Sequence, residues 1–174
     1  MNDPWDPVAL LAEIAPIGVD TERGGWSRHA FDEHDDALRA WFVERASALG
    51  LEVEADRNGN VWAHWGRGPG TIAVGSHLDS VPGGGALDGP LGVVSALTAV
   101  ARLKAEGAKP AAPIAVAVFA EEEGSRFGVA CLGSKLMAGQ IEPARAAALS
   151  GADGVCLADA ARAHGIDPAR FGRD

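Results

Sequence analysis

Apolar and polar positions along the chain fall into two periods, and the changes from one to the other mark the elements. From Asp6 to Ile14, Val8, Leu10, Leu11 and Ile14 recur at helical spacing behind a candidate capping aspartate and Pro7, which predicts a short leading helix. Gly18 to His34 is polar and glycine-bearing, with Trp26 and Phe31 isolated in it, the pattern of an ordered loop. Helical spacing returns from Asp36 to Leu49 through Leu38, Trp41, Phe42 and Ala46, and Gly50 ends it. Leu51 to Asp56 then alternates apolar and charged residues, Asn58-Gly59 is a tight-turn pair, and Val61 to Trp65 alternates again, so a β-hairpin is predicted. Thr71 to Val74 has the character of a short buried strand and runs straight into His77. Pro90 to Gly107 reads as a helix with a glycine stop, and Pro113 to Ala120 as a buried strand that halts at three glutamates. Beyond Gly128 the periodicity weakens. Leu132 to Ala138 predicts a short helix, Gln140 to Gly151 fits either state, and Val155 to His164 predicts a helix ended by Gly165.

Strand, helix and strand with buried runs imply an α/β fold, a mixed, largely parallel sheet covered by helices. A length of 174 residues accommodates one domain or part of one. The formal charge of −9 argues against nucleic acid, which requires basic residues to replace phosphate counterions, and favours a small polar ligand. Cys131 and Cys156 lack CxxC spacing, so both are expected to be reduced, buried and inert. Met1 to Asp6 carries acids and a proline rather than a basic start and an apolar run, and no stretch is long enough to span a bilayer. A cytoplasmic protein without a membrane partner is the expectation.

Chemistry concentrates where apolar runs end. Gly75-Ser76-His77-Leu78-Asp79-Ser80 leads into Gly83 to Gly85 and then Leu87-Asp88-Gly89-Pro90, and about thirty residues later stands Glu121-Glu122-Glu123-Gly124. Histidine and carboxylates are ligands that divalent metals take. In an extended segment His77 and Asp79 face the same way, so Asp79 can accept a hydrogen bond from the ring nitrogen that does not bind metal. The glycines let the backbone turn back so that Asp88 approaches His77, and its two oxygens can bridge two ions. Adjacent glutamates splayed by a turn can divide labour, one holding metal and its neighbour moving a proton. Other chemistries fit less well. Gly128 to Lys135 places lysine after the hydroxyl residue instead of before it, unlike a P-loop. Neither Cys131 nor Ser76 has the histidine partner that covalent catalysis needs. His29, His34 and His64 read as surface or structural residues, and His164 as a partner of a helix dipole.

The segments Gly75 to Val81, Gly84 to Gly92 and Glu121 to Phe127, followed by Gly133-Ser134, resemble the M20 metallopeptidase-related amidohydrolases, in particular the group of allantoate amidohydrolase, N-carbamoyl-L-amino-acid hydrolase and β-ureidopropionase. Gly24-Gly25-Trp26 and Asp56 to Asn60 are most similar to the allantoate type. The resemblance implies a metallo-aminopeptidase-like catalytic domain with two divalent ions, manganese or zinc. By that resemblance His77 would ligate one ion, Asp88 bridge both and Glu123 ligate the other, with Glu122 as general base and then acid and Asp79 orienting His77. The implied reaction is hydrolysis of a linear amide or ureido carbon–nitrogen bond of a small molecule by metal-activated water; the allantoate type would release ammonia and carbon dioxide. Members of that group are homodimers and carry further segments: a Leu-His-x-Glu-Gln-Gly stretch, a lid and dimerisation domain, and a return strand with another histidine. None of these occurs in the 174 residues. Residues 1–174 are therefore expected to form the N-terminal part of a catalytic domain, inactive or severely impaired alone. A remnant that binds metal weakly is the alternative of another class.

Overall fold

Asp6 opens the first element for a local reason: its carboxylate accepts the amides of Val8 and Ala9 at 2.8 and 3.2 Å, and helix α1 runs Pro7–Ile14. A computed structural model describes residues 4–174, so Met1 to Asp3 of the acidic start lie outside the described residues. Helix α2, Glu33–Ala48, begins three residues before the apolar pattern does. Asp32 accepts the amides of His34 and Asp35, both at 2.8 Å, and acids in the first turn suit the positive end of the helix dipole.

The hairpin forms as strands β1, Glu52–Ala55, and β2, Val61–Trp65. Its connection is wider than a two-residue turn because Asp56 gathers the backbone amides of Asn58 and Asn60. Strand β3 spans Ile72–His77, helix α3 Pro90–Ala105 and strand β4 Ile114–Phe119. Short helices α4, Leu132–Met137, α5, Pro143–Ala147, and α6, Leu157–Ala163, complete the chain with a 3-10 turn at Pro168–Arg170.

The four strands lie in the order β1-β2-β4-β3. The mixed α/β architecture is the one expected, but its parallel share is smaller: only β3 and β4 run parallel, while β1 with β2 and β2 with β4 are antiparallel. The hairpin returns its second strand against β4 on the side that β3 leaves free. A second correction concerns β3 itself, which was expected to be buried. It is an edge strand, and Ile72 and Val74 are 55% and 42% exposed. An apolar, β-branched run states that a strand can form, but not on how many sides it will be paired.

Alternate residues Val61, Ala63, Val116 and Val118 join Leu10, Leu38, Phe42 and Leu97 in one core, so α1, α2 and α3 cover one face of the sheet. A second core gathers Phe31, Phe127, Leu132, Leu136, Leu157 and Phe171. Ala115 and Ala117 are buried as well, which makes β4 the strand enclosed on both sides. Gly75 explains how tightly β3 meets it, since an added Cβ would run into the Ala117 carbonyl oxygen. Among the described residues no helix is long and apolar enough to cross a membrane.

Candidate metal centre

The parallel pair delivers both motifs to one rim. His77 is the last residue of β3 and pairs with Phe119, the last of β4, so the His77 loop and the glutamate loop leave the sheet side by side. Ligand sites in open α/β sheets form at this carboxyl edge.

His77 is buried, and its Nδ1 lies 2.9 Å from the Asp79 backbone carbonyl oxygen. A carbonyl only accepts, so Nδ1 carries the proton and donates, which leaves Nε2 to face the site. Nε2 stands 3.4 Å from Glu122 Oε2 and 3.8 Å from Asp88 Oδ1. The Asp79 side chain was expected to accept from the ring. Its Oδ1 is 3.6 Å from Nδ1, and its two oxygens accept instead from the amides of Glu122 and Glu123 at 3.3 and 3.1 Å. The backbone of Asp79 thus holds the imidazole while its carboxylate holds the glutamate loop. The chain leaves β3 before Asp79, so strand alternation no longer fixes where that side chain points.

His77, Asp88 and Glu123 each offer an atom within 4.8 Å of the others. Gly89 permits this approach: its φ is +84°, and a Cβ there would come 2.6 Å from His77 Cε1. Asp88 sits on the exposed turn before α3, with 69% of its side chain accessible. The leading loop braces the same region, as Trp26 and Gly84 exchange backbone hydrogen bonds of 3.0 and 2.8 Å and the Arg28 amide donates to Ser80 Oγ.

Charge makes the rim receptive to a cation. Asp79, Asp88, Glu122 and Glu123 surround a single imidazole. Burial raises the Glu123 pKa, His77 opposes that, and the neighbouring carboxylates add to it. Burial by itself would lower the His77 pKa, but Asp79 and Glu122 outweigh it and hold it at about 9. The donor set therefore fits a divalent ion of the borderline or hard kind.

Two residues near the site were not anticipated. Cys131 was expected to be buried and inert, yet both cysteines are half-buried, and its thiol donates to Glu122 Oε1 at 3.2 Å. Its left-handed backbone, φ 58°, also brings its amide 2.6 Å from the Glu122 carbonyl oxygen. Asn60 carries the β-hairpin to the glutamate loop by accepting the Ala120 amide at 3.0 Å. Neither contact has a local pattern in sequence: the cysteine closes a non-repeating loop back onto Glu122, and the asparagine joins segments 60 positions apart. His164 bonds the Ala160 carbonyl at the end of α6 and pairs with Asp36, so it lies in a different network.

Glu121 is buried with its pKa pushed up to about 7, chiefly by burial. In the metal-free chain Glu121 and His77 both retain protons that the unfolded chain releases at lower pH, from ordinary values of 4.5 and 6.5. Folding then binds protons, so stability is greatest below these windows and falls as pH rises through about 7 and about 9. Urea unfolding with a chelator present is expected to lose up to ~3 kcal/mol between neutral pH and the upper limit from His77 alone, and His77→Ala should flatten that part of the profile.

The chain is similar to several known proteins. A family model described as peptidase family M28 matches residues 60–166. The chain is 39% identical to a ureidoglycolate hydrolase of Oryza sativa subsp. japonica over 68% of its own length and 25% of that protein. It is 35% identical to an allantoate amidohydrolase of Escherichia coli (strain K12) over 90% of its length and 38% of that protein. It superposes on the crystal structure of a hydantoinase/carbamoylase family amidase from Burkholderia ambifaria with a TM-score of 0.85 and 34% identity, covering 97% of this chain and 42% of that one. The chain thus spans between about a quarter and two-fifths of these proteins' lengths.

Proposed function

The chain belongs to peptidase family M28, and from that footing we propose that residues 1–174 carry the metal-binding part of an amidohydrolase catalytic domain of M20 type that hydrolyses a linear amide or ureido carbon–nitrogen bond in a small molecule. The observation that carries this reading is the convergence of His77, Asp88 and Glu123 within 4.8 Å of one another, with Glu122 beside them.

In this reading His77, through Nε2, and Glu123 would each hold a divalent ion, manganese or zinc, and Asp88 would serve both. Such ions supply Lewis acidity to the scissile carbonyl and lower the pKa of water. Glu122 takes the proton of the attacking water and returns it to the departing nitrogen, a service for which its position 3.4 Å from His77 Nε2 is suited. Cys131 restrains the other oxygen of the same carboxylate. Asp79 keeps the imidazole and the glutamate loop in register.

Allantoate is the proposed substrate, with ammonia and carbon dioxide released; the motifs at Gly24-Gly25-Trp26 and Asp56 to Asn60 and the similarity to an allantoate amidohydrolase support it. N-carbamoyl-L-amino acids are the second reading, favoured by the likeness to a carbamoylase-family amidase. The 174 residues alone are expected to release no measurable ammonia from either substrate with added manganese, because the matched relatives are far longer. Substituting this chain for the matched segment of the Escherichia coli relative should restore ammonia release, and Glu122→Gln should abolish it. A chimera that folds and binds manganese yet hydrolyses neither substrate would overturn the proposal.

A further inference from the structure

Of the three consecutive glutamates, the first has no part in the proposed chemistry, although it is the most completely enclosed. Glu121 is 1% exposed. Its Oε1 accepts the amides of Arg126 and Phe127 at 3.0 and 2.6 Å, while Oε2 has no hydrogen-bond partner among the described residues. Its backbone is left-handed with φ 50°, a conformation that is unfavourable for a non-glycine residue and persists only where the surroundings enforce it.

That conformation has a local consequence. The chain leaves β4 at Phe119 and folds back at once, so that the carbonyls of Ala120, Glu121 and Glu122 accept the amides of Gly133, Leu132 and Cys131 at 3.0, 3.0 and 2.6 Å. Glu122 is the last rung of this ladder and Glu123 follows it, just before the turn at Gly124, where an added Cβ would meet the Ala130 amide nitrogen at 2.5 Å. Five residues after Glu121 the returning turn is bound to its carboxylate. Arg126, so held, donates to the Ala30 and Phe31 carbonyls, which ties the loop to the segment preceding α2.

We propose that Glu121 is a positioning residue: its carboxylate closes the 121–127 turn from inside and so fixes the directions in which Glu122 and Glu123 leave the backbone. The inference rests on the reading above for what Glu122 and Glu123 do, but the geometry it asserts can be measured without that reading. A residue that served only to fill the core would be replaceable by any side chain of its size. One that holds two amides is replaceable by glutamine, which keeps an acceptor oxygen, and not by methionine or alanine.

The test compares Glu121→Gln, Glu121→Met and Glu121→Ala, each shown to be folded by circular dichroism at the working temperature, with Glu121→Asp added should the larger changes prevent folding. Hydrogen exchange at the Glu122 and Glu123 amides is expected to quicken at least tenfold in the methionine and alanine variants and to stay within about threefold in the glutamine variant. The aspartate variant, one methylene short of the Arg126 and Phe127 amides, should fall between. Cobalt(II) alone serves as the metal probe: the same variants should bind it at least tenfold more weakly with altered visible bands, and glutamine should restore both. Unchanged exchange in the methionine and alanine variants, or in the aspartate variant where it alone folds, would overturn the role of Glu121. Cobalt binding indifferent to His77→Ala would instead overturn the metal reading and leave amide exchange to decide Glu121.

Discussion

Replacing His77 by alanine is expected to weaken manganese or zinc binding by the chain more than a hundredfold, measured by calorimetric titration at fixed pH. The size of the effect follows from how differently the three converging groups are prepared. Asp88 is mostly solvated and Glu123 half-buried, so both carboxylates must be ordered when an ion arrives. His77 is buried at a strand end, its Nδ1 is anchored 2.9 Å from the Asp79 carbonyl, and its ring is flanked by Gly89 at a position no larger residue can occupy. It is the pre-oriented member of the set, and the only nitrogen donor in it. Loss of groups that merely orient a ligand already costs about ten to a hundredfold in affinity, and removing the ligand itself must cost more. Affinity within threefold of the parent would show that the acidic residues gather cations without a defined site.

Much of this site was legible because the signals were local. Asp6, Pro7, Gly50 and Gly107 mark helix ends by side-chain caps and left-handed backbone, and these act within a few residues. The His77 and glutamate motifs stood out because each ends an apolar run and leads into glycine, and Asp88 because Gly89-Pro90 follows it and opens a helix, which places all three at element ends wherever the elements pack. What stayed hidden depends on residues far apart. The exposure of Ile72 and Val74 is decided by the strand order. Asn60 meets Ala120 across 60 positions, and Asp79 meets Glu122 and Glu123 across 43 and 44. The first residues of α2 were hidden for the opposite reason: Glu33 and Asp35 look like loop residues by polarity, yet acids behind a capping Asp32 are what a first helical turn favours.

Asp79 is where the two motif-bearing loops depend on each other, and its replacement should therefore affect stability and metal binding together. Asp79→Ala removes the acceptor of two amides, those of Glu122 and Glu123, from a site where the aspartate is only 2% exposed. Each buried donor left unpaired costs about 1–3 kcal/mol, so urea unfolding should show a loss of roughly 2–6 kcal/mol, a large share of the stability of an ordinary domain. Asp79→Asn separates the two consequences. It preserves the volume and one oxygen, but it turns an amide hydrogen toward one of the two donors, so it should lose about half as much stability. Metal affinity should fall ten to a hundredfold in both variants, because in either case Glu123 is released from the geometry that brings it to His77. If Asp79→Asn lowers stability while manganese binding is unchanged, the glutamate loop keeps its shape without help, and Asp79 serves the fold alone. If both fall together, the buried carboxylate couples the end of β3 to the end of β4, and the ligand set owes its convergence to that pairing rather than to either loop acting alone.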